Sequence, residues 1–178
     1  MKRTRHTSTL HSDFKMAWNL YQNAFPSNEK RELDIQEVVL KHEDYHFEVI
    51  HKDEEFIGFI AWWQFDGLKF IEHFATLDLH RGKGYGKSIL LDFIAESPDN
   101  ILLEVEPPTT EMNQRRIGFY ERLGFILNLH PYQQLPLRKQ GELVDLLVMT
   151  TPNAISEDDL KKFKRDFKKK CYDDVIGD

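Results

Sequence analysis

Arg81-Gly82-Lys83-Gly84-Tyr85-Gly86-Lys87 joins a segment of strand character to one of helical character. Upstream, Leu68 to Leu77 alternates: Phe70, Glu72, Phe74 and Thr76 share one predicted face, and Ile71, His73, Ala75 and Leu77 the other. Downstream, Gly86 to Glu96 has helical spacing, with Ile89, Leu90, Phe93 and Ile94 inward, and Ser97-Pro98-Asp99-Asn100 stops it. A helix start presents unpaired N–H groups and the positive end of its dipole. Glycines at 82, 84 and 86 let the backbone curl close to an anion, and Arg81, Lys83 and Lys87 add positive charge. The stretch predicts a phosphate cradle.

Spacing narrows the phosphate ligand. A dinucleotide fingerprint, G-x-G-x-x-G, counted from Gly82 would need its third glycine where Lys87 stands. A nucleotide P-loop would end in Gly86-Lys87-Ser88 but needs its first glycine where Arg81 stands. It also belongs after the first strand of a parallel sheet, whereas this loop follows a meander. That meander is Phe47 to His51, the turn Lys52-Asp53-Glu54, Phe56 to Phe65, the turn Asp66-Gly67, and Leu68 to Leu77. Two helices precede it, Leu10 to Ala24 and Asp34 to His42. After the loop helix come a strand at Ile101 to Val105, a helix at Asn113 to Leu123 capped by Gly124, and strands at Phe125 to Leu129 and Leu143 to Thr150. The order predicts a mixed α/β (α+β) domain on one central sheet.

The 178 residues, 40% hydrophobic and 12% aromatic, suit one packed domain over 1–178, with 153–178 as a helical extension. No apolar run reaches membrane-span length, and Met1 to His11 lacks the apolar core of a signal peptide, so a cytoplasmic location with no membrane partner is expected. The single cysteine, Cys171, fits a reducing compartment. Net charge is −6, yet Leu160 to Lys170 holds seven basic residues against one acid, so the remainder is strongly acidic. Such a body disfavours nucleic acid. Leu160, Phe163, Phe167 and Cys171 give the basic segment a buried stripe, which favours a solvated helix over a nucleic-acid or membrane contact. His42 and His46 have i, i+4 spacing but straddle a helix-to-strand boundary and lack a third ligand; they read as surface histidines, and no metal is expected. Trp62 and Trp63 should point to opposite faces, one into the core and one toward the acceptor side.

One pattern does fit the loop: R/Q-x-x-G-x-G/A, at Arg81, Gly84 and Gly86. With it the chain resembles the GNAT superfamily of N-acyltransferases. Asn113-Gln-Arg-Arg-Ile-Gly-Phe-Tyr-Glu-Arg-Leu-Gly-Phe125 looks like that family's second motif, and Ile101-Leu-Leu-Glu-Val105 like its fifth strand. The resemblance implies a mostly antiparallel sheet whose fourth and fifth strands, Leu68 to Leu77 and Ile101 to Val105, splay apart around acetyl-CoA. It implies main-chain contacts to the pantetheine arm from Phe74, Ala75 and Thr76, where the family often has Val at the last position. The pyrophosphate would rest on Arg81, Gly82, Lys83, Gly84, Tyr85, Gly86 and Lys87, with a polar contact from Asn113, whose alternative is a helix cap. A bulge in the fourth strand would direct an N–H at the thioester oxygen.

The implied reaction is direct attack of a primary amine, carried by a small molecule or peptide, on the thioester. The amine needs a base. Glu104, a carboxylate inside an apolar strand lining the cleft, is the first candidate, and Glu72 the second; for either, the alternative is a salt-bridged or water-exposed residue. Glu106 to Met112 is longer than in compact members, so the alignment slips there. Tyr120 matches the tyrosine near the sulfur that serves as general acid. Tyr132 and Arg138, between the last two strands, are candidates for substrate contact. Homodimers are common in the family. Two other readings remain: a non-catalytic acyl-CoA-binding module and a P-loop-like nucleotide-binding protein.

Overall fold

Strand β4 (Leu68–Thr76) has two different neighbours. On one side it pairs antiparallel with β3 (Glu55–Phe65) along its whole length. On the other it runs parallel to β5 (Asn100–Val105), and that pairing stops at Ile71 opposite Leu103. Beyond this point the two strands part. The structure, a computed structural model, describes residues 1–173 and 175. Around the β4–β5 pair the sheet is completed by β1 (Lys2–His6), β2 (Tyr45–Lys52), β6 (Ile126–Gln134) and β7 (Val144–Thr151), in the order β1-β2-β3-β4-β5-β7-β6. Among the described residues only β4 with β5 is parallel.

Helices cover both faces. Helices α1 (Ser12–Ala24), α2 (Leu33–Val39) and α5 (Glu157–Phe167) lie over one, where Phe14, Tyr21, Phe59, Phe70, Phe163 and Phe167 join a buried cluster. Helices α3 (Tyr85–Ala95) and α4 (Glu111–Glu121) lie over the other, built on Ile60, Ile71, Leu90, Phe93, Leu103 and Ile117. Strands buried on both faces read as nearly continuous apolar runs, as Ile57 to Trp63 does. Trp62 and Trp63 do point to opposite faces, but both are core. Trp62 stacks on His46 with ring centroids 3.9 Å apart, so neither tryptophan reaches the acceptor side. His46 is thereby a stacked β2 residue rather than a surface one.

The basic C-terminal segment behaves as its spacing predicts. Leu160, Phe163, Phe167 and Cys171 are all buried, and Phe163 and Phe167 pack edge-on against Phe70. Each buried phenylalanine contributes about 1.5–3 kcal/mol. The Ser156 hydroxyl caps α5 by accepting from the Asp159 N–H at 3.1 Å. Acids fill its first turn and Lys164 and Arg165 its last, which complements the helix dipole. A π-helical turn, Lys168–Asp173, extends it; the remaining residues of the expected extension, 174 and 176–178, lie outside the described residues.

Two strand segments differ from expectation. β1 carries no apolar alternation and forms from what read as a plain polar terminus. Its edge position explains this: it is held by pairing to β2, by Arg3 on Glu48 at 3.3 Å and by Arg5 donating to the carbonyls of His42 and Glu43. β6 continues through Pro131 to Gln134, where a loop was expected. It is the other edge strand, so the missing N–H of Pro131 costs no ladder bond, and the register shifts between Asn128 and Tyr132.

The alternation expected for β4 fails at Glu72. Ala61 pairs with His73 while Trp62 pairs with Ile71, so Glu72 is an extra residue in the ladder. After the bulge every side chain changes sides. His73 joins Glu72 on the α1 face, edge-on to Tyr21 and Phe25, whereas Phe74 turns to the α3 face. At the bulge the Glu72 carboxylate, fully buried, takes a bidentate pair from Arg31 and a hydrogen bond from the Trp63 indole at 3.1 Å. Burial alone would raise this carboxyl; the charge and hydrogen bonds of the Arg31 guanidinium outweigh it and hold it at about 2.

Removing one partner of a buried pair strands the other charge, at a cost of about 3–5 kcal/mol. Glu72→Gln is therefore expected to lower the urea midpoint by that equivalent. The double replacement Arg31→Met with Glu72→Leu should recover most of the loss.

Candidate active site

The parting of β4 and β5 opens a cleft of about 1180 Å³ that runs between the two faces of the sheet. Phe74, Ala75 and Thr76 present the free edge of β4 to it. On the α3 and α4 face the walls are the glycine loop, Asn113, Phe119 and Tyr120. On the α1 face they are Asn19, Leu20, Asn23, Phe25 and Glu29. Glu104 lies at the junction, on the β5 stretch beyond the last β4 pairing.

The loop has the geometry of an anion cradle. Gly82 and Gly84 adopt φ of 77° and 78°, a left-handed conformation that glycine reaches without strain. A Cβ on either would meet nothing within 4 Å, so both face open space. Gly84 is the N-cap of α3, and the first N–H to find a helical acceptor is that of Ser88, on the Gly84 carbonyl at 3.0 Å. The N–H groups of Tyr85, Gly86 and Lys87 are thus left to a ligand. Arg81 is exposed and pairs with Asp78 at 2.8 Å. Lys87 borders the cleft, whereas Lys83 is not among its walls.

Helix α4 is capped by Thr110, which accepts from the Asn113 N–H at 3.2 Å, so Asn113 is not the cap. Its side chain faces the cleft and donates to the Pro107 carbonyl at 3.0 Å, holding the β5–α4 loop. Tyr120, two turns along, borders the cleft as well. Burial raises its phenol above the ordinary range, against a small pull downward from Arg116, so it stays protonated at neutral pH.

The two carboxylates differ. Glu72 has both oxygens bound to Arg31 and its proton affinity is minimal, which disqualifies it as a base. Glu104 is partly exposed and lines the cleft. Burial drives its carboxyl upward. The Tyr132 hydroxyl and the Gln134 amide, donating to Oε1 and Oε2, pull it back, and Glu72 and Glu29 push it up, for a value of about 8. Burial and then Glu106 raise the Glu29 carboxyl too.

Tyr132 and Arg138 are not brought to the acceptor side. Tyr132 is buried with its hydroxyl spent on Glu104, and Arg138 pairs with Glu32 at 3.2 Å. Gln134 and Arg31 escaped the sequence reading. Gln134 shares a β6 face with Tyr132 by period two, a signal hidden once Pro131 was read as loop. Arg31 sits in the charged run Lys30-Arg31-Glu32 and carries no local signal. Among the described residues no group of three His, Cys, Asp or Glu could hold a metal ion, and no helix is long and apolar enough to cross a membrane.

Comparison with known proteins agrees with this geometry. The family model for the acetyltransferase (GNAT) domain matches residues 43–127. A Bacteroides thetaiotaomicron protein assigned to the GNAT acetyltransferases is 31% identical, covers 100% of this chain and 99% of its own, and superposes with a TM-score of 0.89. The chain belongs to the GNAT family of acetyltransferases. An acetyltransferase from Bacillus subtilis in complex with CoA shares the fold at 16% identity, with a TM-score of 0.59 over 86% of this chain and 99% of that one. Spermidine N-acetyltransferase SpeG from Vibrio cholerae does so at 16% identity, with a TM-score of 0.61 over 84% and 94%. No curated protein matches by sequence.

A carboxyl raised from 4.5 to about 8 favours the native state while protonated, so its contribution is full below about pH 4.5 and is lost as pH rises through 8. Glu104→Gln lacks that loss. Thermal melts should coincide near pH 5, and the variant should melt higher than wild type near pH 9.

Proposed function

We propose that the protein transfers the acetyl group of acetyl-CoA to a primary amine by direct attack, with Glu104 as general base and Tyr120 as general acid. The observation that carries this reading is the Glu104 carboxyl at the gap between β4 and β5, only partly exposed and raised by burial to about 8. A cofactor fit is supported on three counts. The free β4 edge at Phe74, Ala75 and Thr76 offers main-chain groups to the amides of a pantetheine arm. The open N–H groups of the loop suit a pyrophosphate, with Arg81 and Lys87 supplying charge. The cleft volume accommodates a molecule of that size.

Acetyl-CoA would supply the activated carbonyl. The Glu104 carboxylate takes a proton from the incoming ammonium, directly or through water. The neutral nitrogen attacks, the N–C bond forms and the C–S bond breaks. The Tyr120 hydroxyl gives its proton to the sulfur, which leaves as a thiol, and the second proton that the nitrogen sheds as the amide forms restores the phenol. A base near 8 is ionised often enough at neutral pH and still basic enough to deprotonate an ammonium. The bulge at Glu72 turns the β4 backbone at the right point to aim an N–H at the thioester oxygen. The acceptor is an amine of a small molecule or peptide entering from the α1 face.

Thiol release from acetyl-CoA with a panel of an alkylamine, a diamine and a peptide N-terminus tests the reaction. Glu104→Gln should reduce kcat by about 10²-fold or more, and Tyr120→Phe by about tenfold or more, with acetyl-CoA affinity nearly unchanged. An unaltered rate would remove that residue from its role. Gly84→Glu forces a side chain into φ of 78° and puts a negative charge at the cradle. Titration calorimetry should show acetyl-CoA binding abolished, and retained affinity would move the pyrophosphate elsewhere.

A further inference from the structure

We propose that Tyr132 and Gln134 of β6 are positioning residues that clamp the Glu104 carboxyl and aim its remaining lone pairs into the cleft. This rests on the assignment of Glu104 as the base. The clamp is unusual in its reach. β7 lies between β5 and β6 in the sheet, so both side chains cross a strand to meet the carboxyl. They stand two residues apart, on one face of β6, and divide the work: the Tyr132 hydroxyl donates to Oε1 and the Gln134 Nε2 to Oε2. Each carboxylate oxygen accepts more than one hydrogen bond, so one donor apiece fixes the group and leaves acceptor capacity for an ammonium proton.

The clamp is itself braced. Tyr132 is buried, and its ring stacks on Phe163 of α5 with centroids 6.4 Å apart, while Lys164 Nζ lies 5.9 Å from the same ring. Phe163 in turn packs on Phe65 and Phe70 of the central strands. Gln134 is buried as well and borders the cleft. The C-terminal helix therefore stands behind the residue that orients the base.

Charge around Glu104 makes the two donors matter. Glu72, neutralised by Arg31, and Glu29, from the turn after α1, both face it and oppose its ionisation. His73 lies beside Glu72, and Glu106, at the end of β5, is paired with Arg116. Lys164 and Cys171 act on Tyr132 from α5 and the turn that follows it. No cation pairs directly with Glu104 among the described residues, so the clamp supplies the groups that favour its charged form.

The first test needs no acceptor. With glutamate labelled at the carboxyl carbon, the Glu104 resonance is identified by its loss in Glu104→Gln and followed against pH by carbon NMR. Wild type should titrate near 8. Tyr132→Phe keeps the stacked ring and deletes only the donor; it should move the midpoint upward by about one pH unit. Gln134→Leu should move it the same way and keeps the test open if Tyr132→Phe fails to fold. An unmoved midpoint in the folded variants overturns the clamp. In turnover with the best amine of the panel, Tyr132→Phe should lose about tenfold in kcat at neutral pH and regain it as pH rises, with KM for acetyl-CoA unchanged. A uniform loss at every pH would mark a merely structural role and overturn the proposal. Failure of the base assignment would show separately, as a Glu104→Gln enzyme of wild-type rate.

Discussion

The parallel pairing of β4 with β5 ends after four residues, and the site is a consequence of that ending. While paired, the two strands satisfy one another; past Ile71 and Leu103 they cannot. Backbone N–H and C=O groups on the free edge of β4 must then find water or a ligand. The bulge at Glu72 falls one residue beyond the last pair, so the change of strand direction and the loss of pairing coincide. A bulge also increases local twist, which turns the end of β4 away from β5. The same extra residue reverses the faces of His73 and Phe74. Phe74 thereby reaches Gly86, where an added Cβ would lie 3.8 Å from its ring.

A bulge is a local disruption, and something has to hold it. Here a buried ion pair does so. Arg31, on the segment between α1 and α2, reaches the Glu72 carboxylate in the sheet, and Trp63 completes the shell from β3. Pairs of this kind add little net stability over apolar packing, since desolvation offsets the attraction. A buried carboxylate left without its guanidinium partner is costly, so the pair disfavours strand alignments that part the two. On the opposite flank, Gly58 supports the alignment by exclusion. A Cβ there would lie 2.2 Å from the Ala75 carbonyl, so only glycine lets β3 run this close to the end of β4.

Much of this was legible in the chain, for identifiable reasons. Local signals carried well: the glycine loop, the helical stripe of Leu160, Phe163 and Phe167, and the meander strands each depend on neighbours a few residues away. The placement of Glu104 followed from one carboxylate in an apolar run. What escaped depends on contacts distant in sequence. The family resemblance implied a bulge in the fourth strand, but its position at Glu72 and the reversal of faces beyond it are invisible to period-two counting, and the Arg31 that pairs with Glu72 is 41 residues away. β1 and the second half of β6 are edge strands, stabilised by a partner rather than by their own apolar pattern. Tyr132 was noticed for its position in a loop that proved to be a strand, and so its hydroxyl was assigned to a substrate rather than to Glu104.

The cleft joins the two faces of the sheet, and this divides the chemistry. Tyr120 comes from α4 on one face; Glu104 shares the other with Leu102 and the β6 residues that hold it. A proton acceptor and a proton donor on one surface would tend to bond to each other and quench. Separated by the plane of the sheet, each keeps its own environment: a phenol kept neutral by burial and a carboxyl raised by burial but tempered by two donors. Both line the cleft that opens where β4 and β5 have parted. A cofactor laid along the α3 and α4 face and an amine arriving from the α1 face would converge there. On the proposed roles the acid and the base are ordered by topology, and the gap that exposes the free edge of β4 would be the one that lets protons pass from both sides.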